Sequence, residues 1–201
     1  MRQKNSFGPA TPKQKRARAT YDALLQAAGE LLAEVGVDRI TTNMICARAD
    51  VTPPALYRYF RDKDAVLEAL GRRLMERQND ALKAWVARHE PDGIASFRGN
   101  TEELLRATHE VTRSEPGAMW ILRALRASPR LAHIRLESHH YVTDLLTDAY
   151  IRAGSTLPRE ELWRRLRLTV EIGFAVDELV AEDDSVIPGE VFEQTAKLIG
   201  R

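Results

Sequence analysis

Apolar residues recur at helical spacing through almost the whole chain, and nothing else constrains the fold as much. Tyr21, Leu24, Leu25, Ala28, Leu31, Leu32 and Val35 fall at i, i+3, i+4 and i+7, the rhythm of one buried helix face. Val66, Leu67, Leu70, Leu74, Leu82, Trp85 and Val86 supply the same kind of face further on. Gly36, Pro91 with Gly93, Pro116-Gly117, Pro129, Gly154-Ser155, Pro158 and Pro188-Gly189 punctuate the pattern, because these residues end or start helices. The spacing predicts an all-α protein of about nine helices, over 20–36, 41–49, 52–60, 62–89, 95–113, 117–127, 130–153, 158–182 and 189–200. No segment alternates with the period of a strand, and no repeat or low-complexity tract is present.

The run TTNMICARADVTPPALYRYFRDK, from Thr41 to Lys63, carries the most specific local signal. Thr41 and Thr42 can cap a short helix ending near Ala49, and Asp50 and Val51 make a tight turn. Thr52 can cap the next helix, with Pro53 at its first position, where a missing N–H costs nothing. Two short helices across such a turn set the second one into a DNA major groove. Ile45, Ala49, Val51, Leu56 and Phe60 would hold the pair against the preceding helix. Thr52, Pro53, Ala55, Tyr57, Arg58 and Tyr59 would then face the groove, where hydroxyls and cations meet phosphates and small apolar groups meet thymine methyls. Lys63, beside the Asp62 cap of the 62–89 helix, would clamp a phosphate together with free backbone N–H groups.

This run resembles the signature of the TetR family of bacterial regulators. Thr41-Thr42, Ile45, Ala49, Val51-Thr52, Leu56-Tyr57, Tyr59-Phe60, Lys63 and Leu67 carry the likeness, and the helix ending at Val35-Gly36 fits it. By that resemblance Thr42, Tyr57, Tyr59 and Lys63 hold the DNA backbone, Thr52, Pro53 and Ala55 approach bases, and Arg58 and Asn43 assist. It implies a helix-turn-helix DNA-binding domain over 19–64 and a regulatory and dimerisation domain over 65–201, with a small-molecule pocket in the latter. The function implied is a ligand-responsive repressor that binds a palindromic double-stranded operator as a homodimer, with no cofactor. The sequence departs from the family pattern at Asp50, where Gly is common, at Cys46, where Ala is common, and at Pro54.

Charge agrees with a DNA-facing front end. Residues 1–64 hold 11 Lys/Arg against 7 Asp/Glu, whereas the remainder holds 19 against 22. Within 1–18, Arg2, Lys4, Lys13, Lys15, Arg16 and Arg18 stand with no acid, which suggests a flexible arm that follows phosphates or is simply solvated. No apolar run reaches the roughly 18 residues a membrane span needs, and no apolar segment follows the basic start as in a secretory signal. A cytoplasmic protein without membrane contact is expected. The single cysteine, Cys46, excludes an internal disulfide framework and reads as a small buried residue rather than a redox switch.

The remaining constellations are weaker. His133, Glu137 and His140 share a helix face at i, i+4 and i+7, but read as a polar face, so no metal site is expected. His109, Met119, Trp120, Tyr141, Phe174 and Asp177 are candidate pocket residues, against the plain alternative that they pack a core. Leu162, Leu166, Val170 and Phe174, then Val191, Phe192, Thr195, Leu198 and Ile199, give the last two helices apolar stripes suited to a four-helix bundle shared by two subunits. The rival functions are a helical enzyme, for which no phosphate loop, HExxH or Gly-x-Ser-x-Gly motif is present, and a helical protein-interaction module that does not bind DNA.

Overall fold

The computed structural model describes residues 15–200. Arg2, Lys4 and Lys13 of the basic arm lie outside the described residues, whereas Lys15, Arg16 and Arg18 belong to the first helix. Ten α-helices and one 3-10 turn make up the described residues, which contain no strand. They are α1 (Lys15–Arg39), α2 (Thr42–Arg48), α3 (Pro53–Tyr57), α4 (Lys63–His89), the turn Glu90–Asp92, α5 (Gly93–Gly99), α6 (Thr101–Ser114), α7 (Ala118–Ala127), α8 (Ala132–Arg152), α9 (Arg159–Glu182) and α10 (Pro188–Ile199).

The all-α expectation holds, with one helix more than the spacing predicted. The extra one arises because the 95–113 stretch breaks at Gly99-Asn100. Asn100 leaves helical geometry at φ −114°, ψ 18°, and its side-chain amide donates to the Ser96 carbonyl at 2.8 Å. Its own carbonyl accepts the Trp85 indole N–H at 2.9 Å. A mostly buried indole N–H needs an acceptor, and a break in a helix supplies one.

The chain packs into two compact units. The first runs up to Glu76 and takes in Ser114–Arg135; the second is Arg77–Arg113 with the chain from Leu136 onward. In the first unit α1 buries Leu24, Leu25, Ala28, Leu31 and Leu32, the face its spacing marked. Burying one such leucine is worth about 1.5–3 kcal/mol. Helix α7 adds Ala118, Ile121, Leu122 and Leu125 to the buried set and packs on α1. The approach is closest at Gly117, whose φ is 72°: a Cβ there would lie 2.6 Å from the Gly29 carbonyl oxygen and 2.8 Å from Leu32 Cβ. Gly36, at φ 75°, interrupts α1 as expected, and the Trp120 ring covers it. Arg73 pairs with the buried carboxylate of Glu115 in the same unit.

The second unit is built on a ring stack. Phe97 lies between Trp85 and Tyr150, with centroids 5.1 and 4.8 Å away. Val142, Leu146, Leu162, Leu166 and Val170 complete this core. The division by packing differs from a cut at residue 64: α4 and α8 each contribute to both units, and the chain passes from one unit to the other three times.

Candidate functional site

Local chemistry sets the helix-turn-helix. The Thr41 hydroxyl accepts the Met44 N–H at 3.2 Å and starts α2. Asp50 sits in the turn at φ 54°, among the described residues the only non-glycine at positive φ. Its short polar side chain tolerates that conformation better than most. Thr52 occupies the N-cap of α3, yet its hydroxyl makes no capping bond. Pro53 and Pro54 have no N–H, and the Ala55 N–H donates to the Thr52 carbonyl at 2.9 Å, so the first turn leaves the hydroxyl no donor to cap. Ile45, Leu56 and Phe60 are buried, whereas Ala49 and Val51 are only half-buried. Phe60 stacks on Tyr21 of α1 at 5.1 Å, with Tyr59 edge-on to the same ring at 5.9 Å. Arg48 ties α2 to α1 by donating to both carboxylate oxygens of Glu34, at 2.9 and 2.7 Å.

None of the residues read from the sequence as DNA-facing is buried. Asn43, Thr52, Pro53, Tyr57 and Arg58 are exposed, and Thr42, Ala55, Tyr59 and Lys63 half-buried. The Thr42 and Tyr57 hydroxyls lie 3.2 Å apart, bridging α2 and α3. Only one of them can donate across that gap, so the other keeps its proton for an outside acceptor. Lys63 donates from Nζ to the Val37 carbonyl at 3.0 Å, just past Gly36. An ammonium has three donors, so this anchor leaves two. The Asp62 carboxylate accepts the Ala65 N–H at 2.8 Å and caps α4.

A cavity opens within the second unit, about 620 Å³ of atom-free space including its mouth. Its wall is mostly aliphatic, from Leu82 of α4, Leu104 and Leu105 of α6, Leu146 of α8 and Val170 of α9, with the Phe174 ring. Gln78, Asn79 and Asp177 are its polar residues apart from threonines. Asp177 is buried and accepts from Thr112 at 2.6 Å and Gln78 at 3.4 Å, and pairs with His109 Nδ1 at 2.8 Å. Behind Phe174 the wholly buried His139 ring lies 4.0 Å away, its Nδ1 2.9 Å from Glu171. Burial pushes the Glu171 carboxyl up, but the His139 and Arg167 hydrogen bonds and charges outweigh it and hold it at about 2.

Residues 24–70 match the family model described as bacterial regulatory proteins, tetR family. The tetracycline repressor protein class A from transposon 1721 of Escherichia coli is 30% identical over 148 residues, spanning 69% of this chain and 66% of that one. The chain belongs to the tetR family. The transcriptional regulator UidR of Escherichia coli K12 is 24% identical over 174 residues, 85% of this chain and 86% of its own. A crystal structure of a TetR-family regulator from Streptomyces coelicolor, 23% identical, covers 90% of this chain and 95% of its own at a TM-score of 0.61, so the fold is shared as well. A tetR-family chain with these relatives is a DNA-binding transcription regulator, not an enzyme.

Several pocket candidates of this tetR-family chain lie elsewhere. Phe174 and Asp177 do line the cavity, and His109 stands behind Asp177, its ring 5.3 Å from Phe192. Met119 and Trp120 belong to the first unit, where Trp120 covers Gly36 and takes Arg123 over its ring at 5.2 Å. Tyr141 packs on the second unit's core under Lys83 instead of lining the cavity. Periodicity marked Met119, Trp120, Tyr141 and Phe174 as apolar positions but gave no means of assigning α7 to one unit or the other. Gln78 and Asn79 were missed, although Gln78 falls at i+4 between Leu74 and Leu82, on a stripe otherwise apolar. His133 lies 3.2 Å from Arg72, and His140 is edge-on to Trp163, so different neighbours engage them. Cys46 is buried, and burial pushes its thiol up, opposite to what a redox switch requires.

The stripes expected at a dimer interface are also placed differently. Leu162, Leu166, Val170, Phe192 and Thr195 are buried inside the second unit. Leu198 of the expected stripe is exposed at 77%, whereas the other exposed apolar positions of this region lie off the stripes: Leu168 at 63% and Leu179 at 42% on α9, and Ile187 at 60% just before α10. At 3.6 residues per turn, Leu168, Ile172, Ala175 and Leu179 form one stripe roughly opposite Leu166, Val170 and Asp177. Helix α9 is thus apolar on two sides. No helix among the described residues is long and apolar enough to cross a membrane.

Proposed function

We propose that the chain is a ligand-responsive repressor acting as a cytoplasmic homodimer on a palindromic operator. The observation that carries this reading is a helix pair braced on α1 in which the Thr42 and Tyr57 hydroxyls meet, the Thr52 hydroxyl makes no capping bond and the Lys63 ammonium is anchored by one donor. Thr42, Tyr57, Tyr59 and Lys63 hold phosphates; Thr52, Pro53 and Ala55 approach bases; Arg58 and Asn43 add contacts at the edge. In this division residues 1–18 are a basic arm, 19–64 bind DNA, and 65–201 regulate and dimerise. The second apolar side of α9, the exposed Ile187 before α10 and the exposed Leu198 of α10 support a four-helix interface with a second copy. The cavity lined by Phe174 and Asp177 supports an effector site. The effector favours a state that holds the two recognition helices at the wrong spacing for DNA, with couplings of about 1–3 kcal/mol typical of such control.

Selection of duplexes from random sequence by the purified protein tests this reading. The expected product is an inverted repeat whose half-site centres lie one helical turn apart, about 34–36 Å. Thr42→Ala and Tyr57→Phe each remove one hydroxyl and should weaken binding to the selected duplex by about 1 kcal/mol, roughly fivefold. No enriched sequence, or affinity unchanged in both variants, rejects the assignment.

A further inference from the structure

The polar groups of the cavity wall restrict what it can hold, on the reading that this cavity is the effector site. Gln78 and Asn79 are both more than nine-tenths buried and both line it. Gln78 Nε2 donates to the Thr112 hydroxyl at 2.9 Å and to Asp177, an acceptor, which fixes the amide's orientation. Its Oε1 is left without a hydrogen-bond partner among the described residues. Asn79 Oδ1 accepts from the Ser138 hydroxyl at 3.0 Å, and its Nδ2 is likewise unpartnered among them. The lining threonines add no donor. Thr101 gives its proton to the Phe97 carbonyl, Thr108 to Leu104 and Thr169 to Arg165, each within its own helix. Two residues of the wall thus hold one unused acceptor and one unused donor, with Asp177 beside them in a mostly aliphatic lining. A buried polar atom without a partner is costly, and a complementary ligand group recovers that cost.

We propose that this cavity takes an uncharged, mostly apolar molecule bearing one group that both donates and accepts, a hydroxyl or a carboxamide, and that it rejects carboxylates. A carboxylate has no proton for Gln78 Oε1 and would stand near the Asp177 charge in a medium that screens poorly. An ammonium satisfies Gln78 but leaves Asn79 Nδ2 without an acceptor and loses its hydration against an aliphatic wall. Asp177 gives it little in return, being already engaged by His109, Thr112 and Gln78.

Three probes with one chain length separate these cases: octanamide, octanoate and octylammonium, titrated into the full-length protein at pH 7.5 with leucine methyls observed by NMR. Octanamide should shift the methyls of Leu82, Leu104, Leu105 and Leu146, with a Kd at least tenfold below those of the two ions. Octanoate or octylammonium binding these methyls as tightly as octanamide overturns the ligand class and leaves the cavity standing as a site. Failure of all three to move them removes the effector site and the ligand class together. Asp177→Asn should raise octanoate affinity about tenfold, and Gln78→Leu should weaken octanamide at least fivefold. If either variant is misfolded, the wild-type series decides alone.

Discussion

Replacing Gly117 by alanine tests how α7 is held on α1. Two independent terms oppose the substitution. At φ 72° the residue is left-handed, which costs an L-amino acid roughly 1–2 kcal/mol. The new Cβ also meets the Gly29 carbonyl oxygen at 2.6 Å and Leu32 Cβ at 2.8 Å, atoms of a packed helix that cannot swing aside. Overpacking of this kind costs about 1–3 kcal/mol, so the whole effect is about 2–5 kcal/mol. Gly154 supplies the control: its φ is 99°, but a Cβ there meets nothing within 4 Å. Gly154→Ala should therefore show only the backbone cost, about 1–2 kcal/mol. Urea unfolding followed by circular dichroism measures both. Gly117→Ala should unfold at clearly lower urea than Gly154→Ala at an unchanged m-value. Equal midpoints would mean that α7 yields at no cost and that the close approach does not hold it.

Three further changes have definite outcomes. Lys63→Met should lower the dependence of log K on log salt by about 0.9 per protomer for the selected duplex, and an unchanged slope removes Lys63 from the phosphate contacts. Asp50→Gly relieves a positive φ of 54° and should raise stability by about 0.5–1 kcal/mol; a lowered urea midpoint would show that the aspartate side chain stabilises the turn. Glu171 has a folded pKa of about 2, below the ordinary carboxylate value, so its contribution is present above about pH 4.5 and fades as pH falls towards 2. Screening at a partly exposed carboxylate reduces that contribution to about 1–2 kcal/mol. Glu171→Gln should therefore be less stable than wild type at pH 7, with the gap closing by about pH 2, and a constant gap would refute the linkage.

The DNA-facing end was legible because its signals are local. Capping by Thr41 and Asp62, the turn at Asp50 and the apolar triplet Ile45, Leu56 and Phe60 depend on residues a few positions apart, and each is found as spaced. The stop at Gly36 was equally plain. What local spacing could not give is partnership over long sequence separations. Lys63 reaches Val37 across 26 residues and Asp177 reaches Gln78 across 99. Trp120 looked like a pocket aromatic because a tryptophan at helical spacing carries no mark of the helix it will cover. On α9 the strongest apolar stripe was assigned outward, yet it is buried, because burial within the second unit claims the most continuous face first. The less continuous Leu168–Leu179 stripe is the one left exposed.

The chain's path bears on how a ligand in the second unit would reach the helix-turn-helix. A single connecting helix would make α4 alone responsible. Helix α4 does carry Gln78 and Asn79 at the cavity and, at its other end, Lys63, anchored to the Val37 carbonyl. Helix α6 is a second route. It contributes Thr101, Leu104, Leu105 and Thr108 to the cavity wall, and Thr112 to the Asp177 cluster. Only Glu115 to Gly117 separate its end from α7. Glu115 is paired with Arg73 of α4, and Gly117 rests on Gly29 of α1. Within the first unit α1 braces α2 through Arg48–Glu34 and Phe60 through Tyr21. On the proposed mechanism, disturbing the α7 contact on α1 by Gly117→Ala should weaken ligand-driven release from DNA more than it weakens DNA binding itself. A variant that loses DNA affinity and release in equal measure would place the whole control on α4.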